Sequence, residues 1–476
     1  MAPSASPVLA RRDWLKATTL GTAATLIGST AARAETTTPP AKKRAKGIIF
    51  LCSDGMSPGV FTLAEAYSKN TRGGKGTAWW QLWNESTAAR GLMDTASADS
   101  LVTDSAAAAS AWGGGIRVNN GAINITPQGK RIEPISTDLK KHGVKLALVT
   151  TTRITHATPA GFASVVENRG QENDIAEQYL DQADILLGGG ANFFAKEKRG
   201  DSKDLFAEYH KAGYTILRDR DALLANRDAR ILGTFDSDHL PYHIDHQHDK
   251  RLQAAVPTLA EMTTAALDRL LEGDAPFLLM VEGGRIDHAA HLNCIAGVLG
   301  DQIAFDDAVA ATLAKTATRD DILVIVTSDH GNANPGLNGL GWNYELSNQA
   351  FANVSKITIS HERMFQDWNA KKDATRADFE SFLKTHLHFT PEKKEIDALH
   401  EAFKTRKAED WNHQHQNWEG LLGQIQGNHT GIGWTGNSHT SDPTIISATG
   451  PGAERFGGLV VNTDVNRHLR ELLLQD

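Results

Sequence analysis

Five short apolar runs, each closing on a polar or glycine step, constrain this chain more than any other feature. Lys46 to Leu51 ends in Cys52-Ser53-Asp54-Gly55-Met56, and Val144 to Thr151 ends in Thr152-Arg153-Ile154-Thr155-His156. Ala183 to Leu187 runs into Gly188 to Gly190, Phe277 to Val281 into Glu282-Gly283-Gly284, and Ile322 to Val326 into Thr327-Ser328-Asp329-His330. Runs of this length bounded by turn residues read as buried strands. Between them lie helical patterns, such as Thr258 to Leu271, with Leu259, Met262, Ala266 and Leu270 on one stripe, and Asp306 to Ala317. Strand and helix in alternation predict an α/β fold with a mostly parallel central sheet sandwiched by helices. Ligands of such sheets gather at the carboxyl ends of the strands. Four of these ends deliver Asp, Glu, His or Thr.

Residues 1–34 stand apart from fold reasoning. Arg11-Arg12-Asp13-Trp14-Leu15-Lys16 opens a mildly apolar, uncharged stretch, and Ala32-Arg33-Ala34 supplies the small residues of a cleavage site. This pattern predicts an export leader, with the paired arginines pointing to the twin-arginine route and a periplasmic or secreted destination. The apolar stretch is shorter than the roughly 20 residues of a membrane span, so no membrane association is expected once it is removed. Arg11, Arg12, Lys16 and Arg33 against Asp13 give the leader a net charge of +3, which takes the whole-chain value of −8 to −11. An acidic surface disfavours nucleic acid as a partner. Cys52 and Cys294, the two cysteines, read as buried thiols rather than a disulfide framework.

From 336 to 435 the texture changes, with tryptophan, histidine and lysine frequent. Thr375 precedes a helix carrying Phe379, Phe382, Leu383 and Leu387, and Thr390-Pro391 precedes one carrying Ile396, Leu399 and Phe403. The expected organisation is a leader over 1–34, a first part of the α/β core over 35–335, a mostly helical, cap-like insertion over 336–435 and the rest of the core over 436–476.

Three constellations carry chemistry. In Thr103-Asp104-Ser105-Ala106-Ala107-Ala108-Ala109 the alanines favour helix, placing Asp104 or Ser105 at its start. A serine there is either a plain cap or a nucleophile beside an anion-attracting helix end. In Glu282 to His291, helix from near Asp287 would set Asp287 and His291 four apart on one face, a spacing that suits two ligands of one metal. Asp329-His330 adds a second pair and His439 a late single histidine. Asp54, Glu282, Asp287 and Asp329 would bring four carboxylates to one rim, and bare they would repel one another and any phosphate. Two or three divalent cations reverse that sign. His239, His243, His246 and His248 form a further cluster, read as a solvated loop at the mouth of the cleft.

Taken in order, Asp54-Gly55-Met56, Thr103 to Ala106, His156-Ala157-Thr158-Pro159, Glu282 to His291, Asp329-His330 and His439-Thr440 resemble the alkaline phosphatase signature. The resemblance implies a hydrolase of small phosphate monoesters working through a phosphoserine on Ser105. It implies one zinc on Asp287, His291 and His439, a second on Asp54, Asp329 and His330, and a magnesium-like site on Asp54, Thr158 and Glu282. Arg169 falls where the family places its phosphate-gripping arginine, and Asp104, His156 and His288 fall beside the nucleophile and the third site. The histidine pair at 156 and 288 resembles animal and some marine bacterial members rather than those with Asp and Lys. Many members are homodimers, and no run here marks an interface. A phosphodiesterase of the same superfamily is the nearest alternative, and a non-catalytic phosphate- or metal-binding protein the alternative from another class. A sulfatase would need a C/S-x-P-x-R motif, which Asp104 to Ala108 lacks.

Overall fold

The computed structural model describes residues 44–474 apart from 372–373, 388, 408–412 and 416; the expected leader lies outside them. The strands are β1 (Gly47–Ser53), β2 (Ala89–Met93), β3 (Lys145–Arg153), β4 (Ile185–Gly189), β5 (Thr215–Leu217), β6 (Ile231–Thr234), β7 (Phe277–Gly283), β8 (Ile322–Thr327), β9 (Gly331–Asn332), β10 (Gly336–Leu337), β11 (Ile432–Gly433), β12 (His439–Thr440), β13 (Thr444–Thr449) and β14 (Gly458–Val460). Ten of them form one sheet in the order β14-β2-β13-β8-β1-β7-β3-β4-β6-β5. Only β13 runs antiparallel to its neighbours, β2 and β8. The expected mostly parallel α/β sheet is therefore the observed one.

Alternate residues of the central strands feed two cores, as a sheet covered on both faces requires. Ile49, Leu51, Val149, Leu279, Val281, Val324 and Val326 face one layer, which holds the helices Leu259–Glu272 and Ile295–Thr316. Ile48, Phe50, Leu148, Leu278, Met280 and Ile325 face the other, with the helices Ser105–Gly113, Ala157–Ala163 and Asn462–Leu473. Thr258 caps its helix through a reciprocal capping box with Glu261. The next long helix starts at Ile295, well before the expected Asp306. Gly297, Gly300, Asp301 and Gln302 break its apolar stripe, yet all are buried against neighbouring elements. Both cysteines are buried and free, as expected.

The helices Ser105–Gly113 and Ala157–Ala163 cross where glycines meet. A Cβ on Gly113 would lie 1.9 Å from the Gly161 carbonyl oxygen, and one on Gly161 would lie 2.5 Å from Ala109 Cβ. Gly113→Ala must push the backbones apart and is expected to cost about 1–3 kcal/mol in chemical denaturation. A smaller loss would mean that this crossing yields easily.

Helices His361–Asn369, Arg376–Leu387, Lys393–Thr405 and Trp418–Thr430 bury a cluster of their own around Phe365, Phe379, Leu383, Leu399 and Leu422. The third of these is capped by Glu392 with Glu395 rather than opened by Thr390-Pro391.

Candidate metal centre and nucleophile

β8, β1, β7 and β3 are consecutive in the sheet, and their carboxyl ends carry Asp329-His330, Asp54, Glu282 and the Thr152 to His156 segment. Cys52 pairs with both Glu282 and Thr327, so these ends terminate level with one another. The short β12 pairs antiparallel with β9, setting His439 opposite Asn332. The late single histidine reaches the rim in this way. Asp287 and His291 stand four apart on the helix Arg285–His291, as the spacing predicted.

Among the described residues, three sets of side chains present potential ligand atoms within 4.8 Å of one another: Asp287, His291 and His439; Asp54, Asp329 and His330; and Asp54, His156 and Glu282. In the first, His291 Nε2 is 3.4 Å and His439 Nε2 3.5 Å from the Asp287 carboxylate. In the second, His330 Nε2 is 3.6 Å from Asp54 and 3.2 Å from Asp329. Asp54 Oδ1 and Oδ2, Asp329 Oδ2, Glu282 Oε1 and Thr158 Oγ1 are buried without a hydrogen-bond partner. Buried polar atoms are normally satisfied, so such a convergence needs a ligand to explain it.

The histidine tautomers point the same way. His291 Nδ1 lies 2.8 Å from the Asn437 carbonyl, His439 Nδ1 2.8 Å from that of Thr103, and His330 Nδ1 3.3 Å from that of Gly331. A carbonyl only accepts, so each Nδ1 carries a proton and each ring turns its Nε2 inward, a lone pair whenever the ring is neutral. His291 Nε2 and His439 Nε2 are 3.1 Å apart. Two lone pairs so close repel unless a cation or a proton lies between them. This backbone orientation of the ring is the usual support for metal-ligating histidines.

The electrostatics agree. Burial, reinforced by Asp329, Asp287 and Glu282, pushes Asp54 well above the carboxylate range, and burial also raises Glu282. Burial would raise Asp287 too, but His291 and His439 outweigh it and hold it well down. Burial opposes charge on His291, yet Asp287 lifts it to about 9. The site is thus a carboxylate-rich pocket that gathers positive charge, and mixed imidazole and carboxylate ligands suit divalent metals.

Ser105 opens its helix beside this pocket, with Oγ 3.2 Å from His330 Nε2. Asp104 organises the approach. Its Oδ1 accepts from Ala107 N at 2.9 Å as the helix cap, while its Oδ2 accepts from Gly121 N and Arg169 Nη1, both at 3.0 Å. One carboxylate therefore ties the helix start to the guanidinium.

A family model described as alkaline phosphatase matches residues 45–474. Alkaline phosphatase 3 of Bacillus subtilis is 33% identical over 382 residues, covering 78% of this chain and 77% of the relative. The chain belongs to the alkaline phosphatase family. It is accordingly a phosphatase whose family implies divalent metals, and it carries candidate clusters that could hold them. The alkaline phosphatase crystal structure from Thermus thermophilus superposes with a TM-score of 0.84 at 32% identity, covering 90% of this chain and 92% of that one. The cold-active alkaline phosphatase from Shewanella sp. does so at 0.75 and 26%, covering 90% and 100%.

Relative to the alkaline phosphatase signature read from the sequence, the structure adds three residues at the rim. His239 leaves the other histidines of its cluster and packs on His288 and His156, with ring centroids 4.5 and 5.5 Å away. Its Nδ1 accepts from Arg153 N at 3.1 Å. His243 and His246 stack instead on the helix His243–His248, and His248 is exposed. The expected solvated loop is therefore corrected: His239 packs at the rim, and His243, His246 and His248 lie on a helix on which His246 is buried, with Nε2 2.9 Å from the Val256 carbonyl. Arg153 bonds Glu172 and Asp238 on the same wall. Arg285 reaches His288, whose ring is 5.5 Å from that of His156. Burial, and then the nearby arginines, hold His156 and His288 well below the usual histidine range.

Proposed function

We propose that the protein is an exported, metal-dependent hydrolase of phosphate monoesters with Ser105 as nucleophile. The observation that carries this reading is the clustering of three inward-turned Nε2 atoms with unpartnered buried carboxylate oxygens, one of those nitrogens, His330 Nε2, lying 3.2 Å from Ser105 Oγ. In this reading Asp287, His291 and His439 hold one zinc, Asp54, Asp329 and His330 a second, and Asp54, Thr158 and Glu282 a magnesium. His156 stands close enough to join the third set. Bound cations would neutralise the carboxylates, admit the phosphate and lower the pKa of Ser105 and of water.

The residues then divide the work. Ser105 Oγ attacks phosphorus as the ester P–O bond breaks, giving phosphoserine and an alcohol. Water cleaves the phosphoserine P–O bond to release inorganic phosphate and restore the hydroxyl. Arg169, held next to Ser105 by Asp104, offers its fork to two phosphate oxygens, and the free N–H groups at the helix start face the anion. His156 and His288 line the third-site wall. Residues 336–435 are read as an insertion on the α/β core. No described helix is long and apolar enough to cross a membrane, and the leader supports a periplasmic or secreted location.

Hydrolysis of p-nitrophenyl phosphate and of its bis ester, with zinc and magnesium supplied, tests the reading. The expected result is a kcat/KM for the monoester far above that for the diester. Comparable values would overturn monoester specificity, and stoichiometric phosphate binding without turnover would favour a binding protein.

A further inference from the structure

The side chain at the third-site wall least explained so far is Arg285. It is buried, with its guanidinium 3.8 Å over the Tyr242 ring. Its Nη1 lies 2.8 Å from His288 Nδ1, and its Nη2 donates to Glu362 Oε2 at 2.9 Å. Arg285 and His288 belong to the rim helix, whereas Glu362 lies on the helix His361–Asn369 of the 336–435 segment. A guanidinium has five donors and no acceptor, so His288 Nδ1 must be the acceptor. A neutral ring then carries its proton on Nε2. Its only remaining function is as an N–H donor, with no lone pair left for a metal.

The start of the Glu362 helix is fastened to the core on either side of this contact. Ser360 N and Oγ both donate to Asp245, at 2.8 and 2.6 Å. His361 N donates to Cys294 Sγ at 3.4 Å, and His361 Nδ1 donates to the Leu292 carbonyl at 2.9 Å. Glu362 therefore has a defined position although its side chain is 42% exposed.

We propose that Glu362 and Arg285 are positioning residues through which the 336–435 segment holds His288 in its Nε2–H tautomer, so that it serves as an N–H donor at the third-site wall beside His156 rather than as a metal ligand. This rests on the phosphomonoesterase reading and assigns the segment a part in it. Arg285 fixes the ring, and Glu362 keeps the guanidinium aimed at Nδ1 rather than at its other neighbours.

Glu362→Ala tests this without disturbing the buried arginine itself. A cleft of about 400 Å³ opens beside Glu362 and Arg285, so water can fill the place of the lost carboxylate. The expected result is a fall in kcat of about fivefold, the equivalent of one ordinary hydrogen bond, with KM changed by less than about twofold. The imidazole ¹⁵N spectrum, with His288 assigned by its loss in His288→Asn, should show an unprotonated Nδ1 in the wild type and mixed tautomers in Glu362→Ala. Glu362→Gln keeps an acceptor oxygen and should recover most of both readouts. Unchanged kcat, an unchanged His288 spectrum, or a Gln variant no better than Ala would each overturn the proposal. A wild-type protein that fails to turn over the monoester overturns the functional reading instead, and the spectrum alone then judges the tautomer.

Discussion

Ser105→Ala is expected to retain its fold and metals while turnover of p-nitrophenyl phosphate falls by a factor on the order of 10³ to 10⁶. The change removes one oxygen from a buried first residue of a helix. The cap is not lost, because it comes from Asp104 and its bond to Ala107 N. His291 and His439 keep their bonds to Asn437 and Thr103 and so still aim both Nε2 atoms inward. What disappears is the hydroxyl placed 3.2 Å from His330 Nε2. Steady-state kinetics with elemental analysis of zinc separates the possibilities. Wild-type turnover in the variant would sink the nucleophile assignment, and loss of metal with turnover would show that Ser105 is needed for binding instead.

Chelation is expected to abolish activity and to lower the thermal midpoint by on the order of 10 °C, with both restored when zinc and magnesium return. Two cations, each present at a thousand times its dissociation constant, contribute about 8 kcal/mol to the folded state. The protein shows why that dependence should be steep. Asp54, Glu282, Asp287 and Asp329 are all buried, and both oxygens of Asp54 have no hydrogen-bond partner. Uncompensated buried carboxylates cost several kcal/mol each or take up protons. Calorimetry before and after EDTA treatment measures the shift. An unchanged midpoint together with full activity would mean that these side chains satisfy one another and need no cation.

Much of the site was legible because strand ends are local features. Asp54, Glu282, Asp329 and His330 each follow within four residues of an apolar run, and a run together with its exit residues can be read without knowing its neighbours. Asp287 and His291 were legible through helical spacing. Other features were not. β5 and β14 are three residues long, β6 is four, and none carries an apolar run that stands out. His239 was grouped with His243, His246 and His248 by closeness in sequence. The other three lie on a helix that starts at His243, and contact with His288, almost fifty positions later, decides where His239 belongs. Glu362 carried no signal at all, because its meaning comes from Arg285 across the fold.

The amino-acid sequence alone determined which side chains could serve and in what order: apolar runs make strands, their exits carry the candidate ligands, and an alanine-rich stretch starts a helix at Ser105. Only the tertiary structure decided that β8, β1, β7 and β3 lie side by side, that β12 carries His439 to the rim, and which nitrogen each ring turns inward. The reason is physical. Strand and helix preferences act over a few neighbouring residues, whereas strand order and histidine tautomer depend on packing and backbone carbonyls brought together from distant parts of the chain.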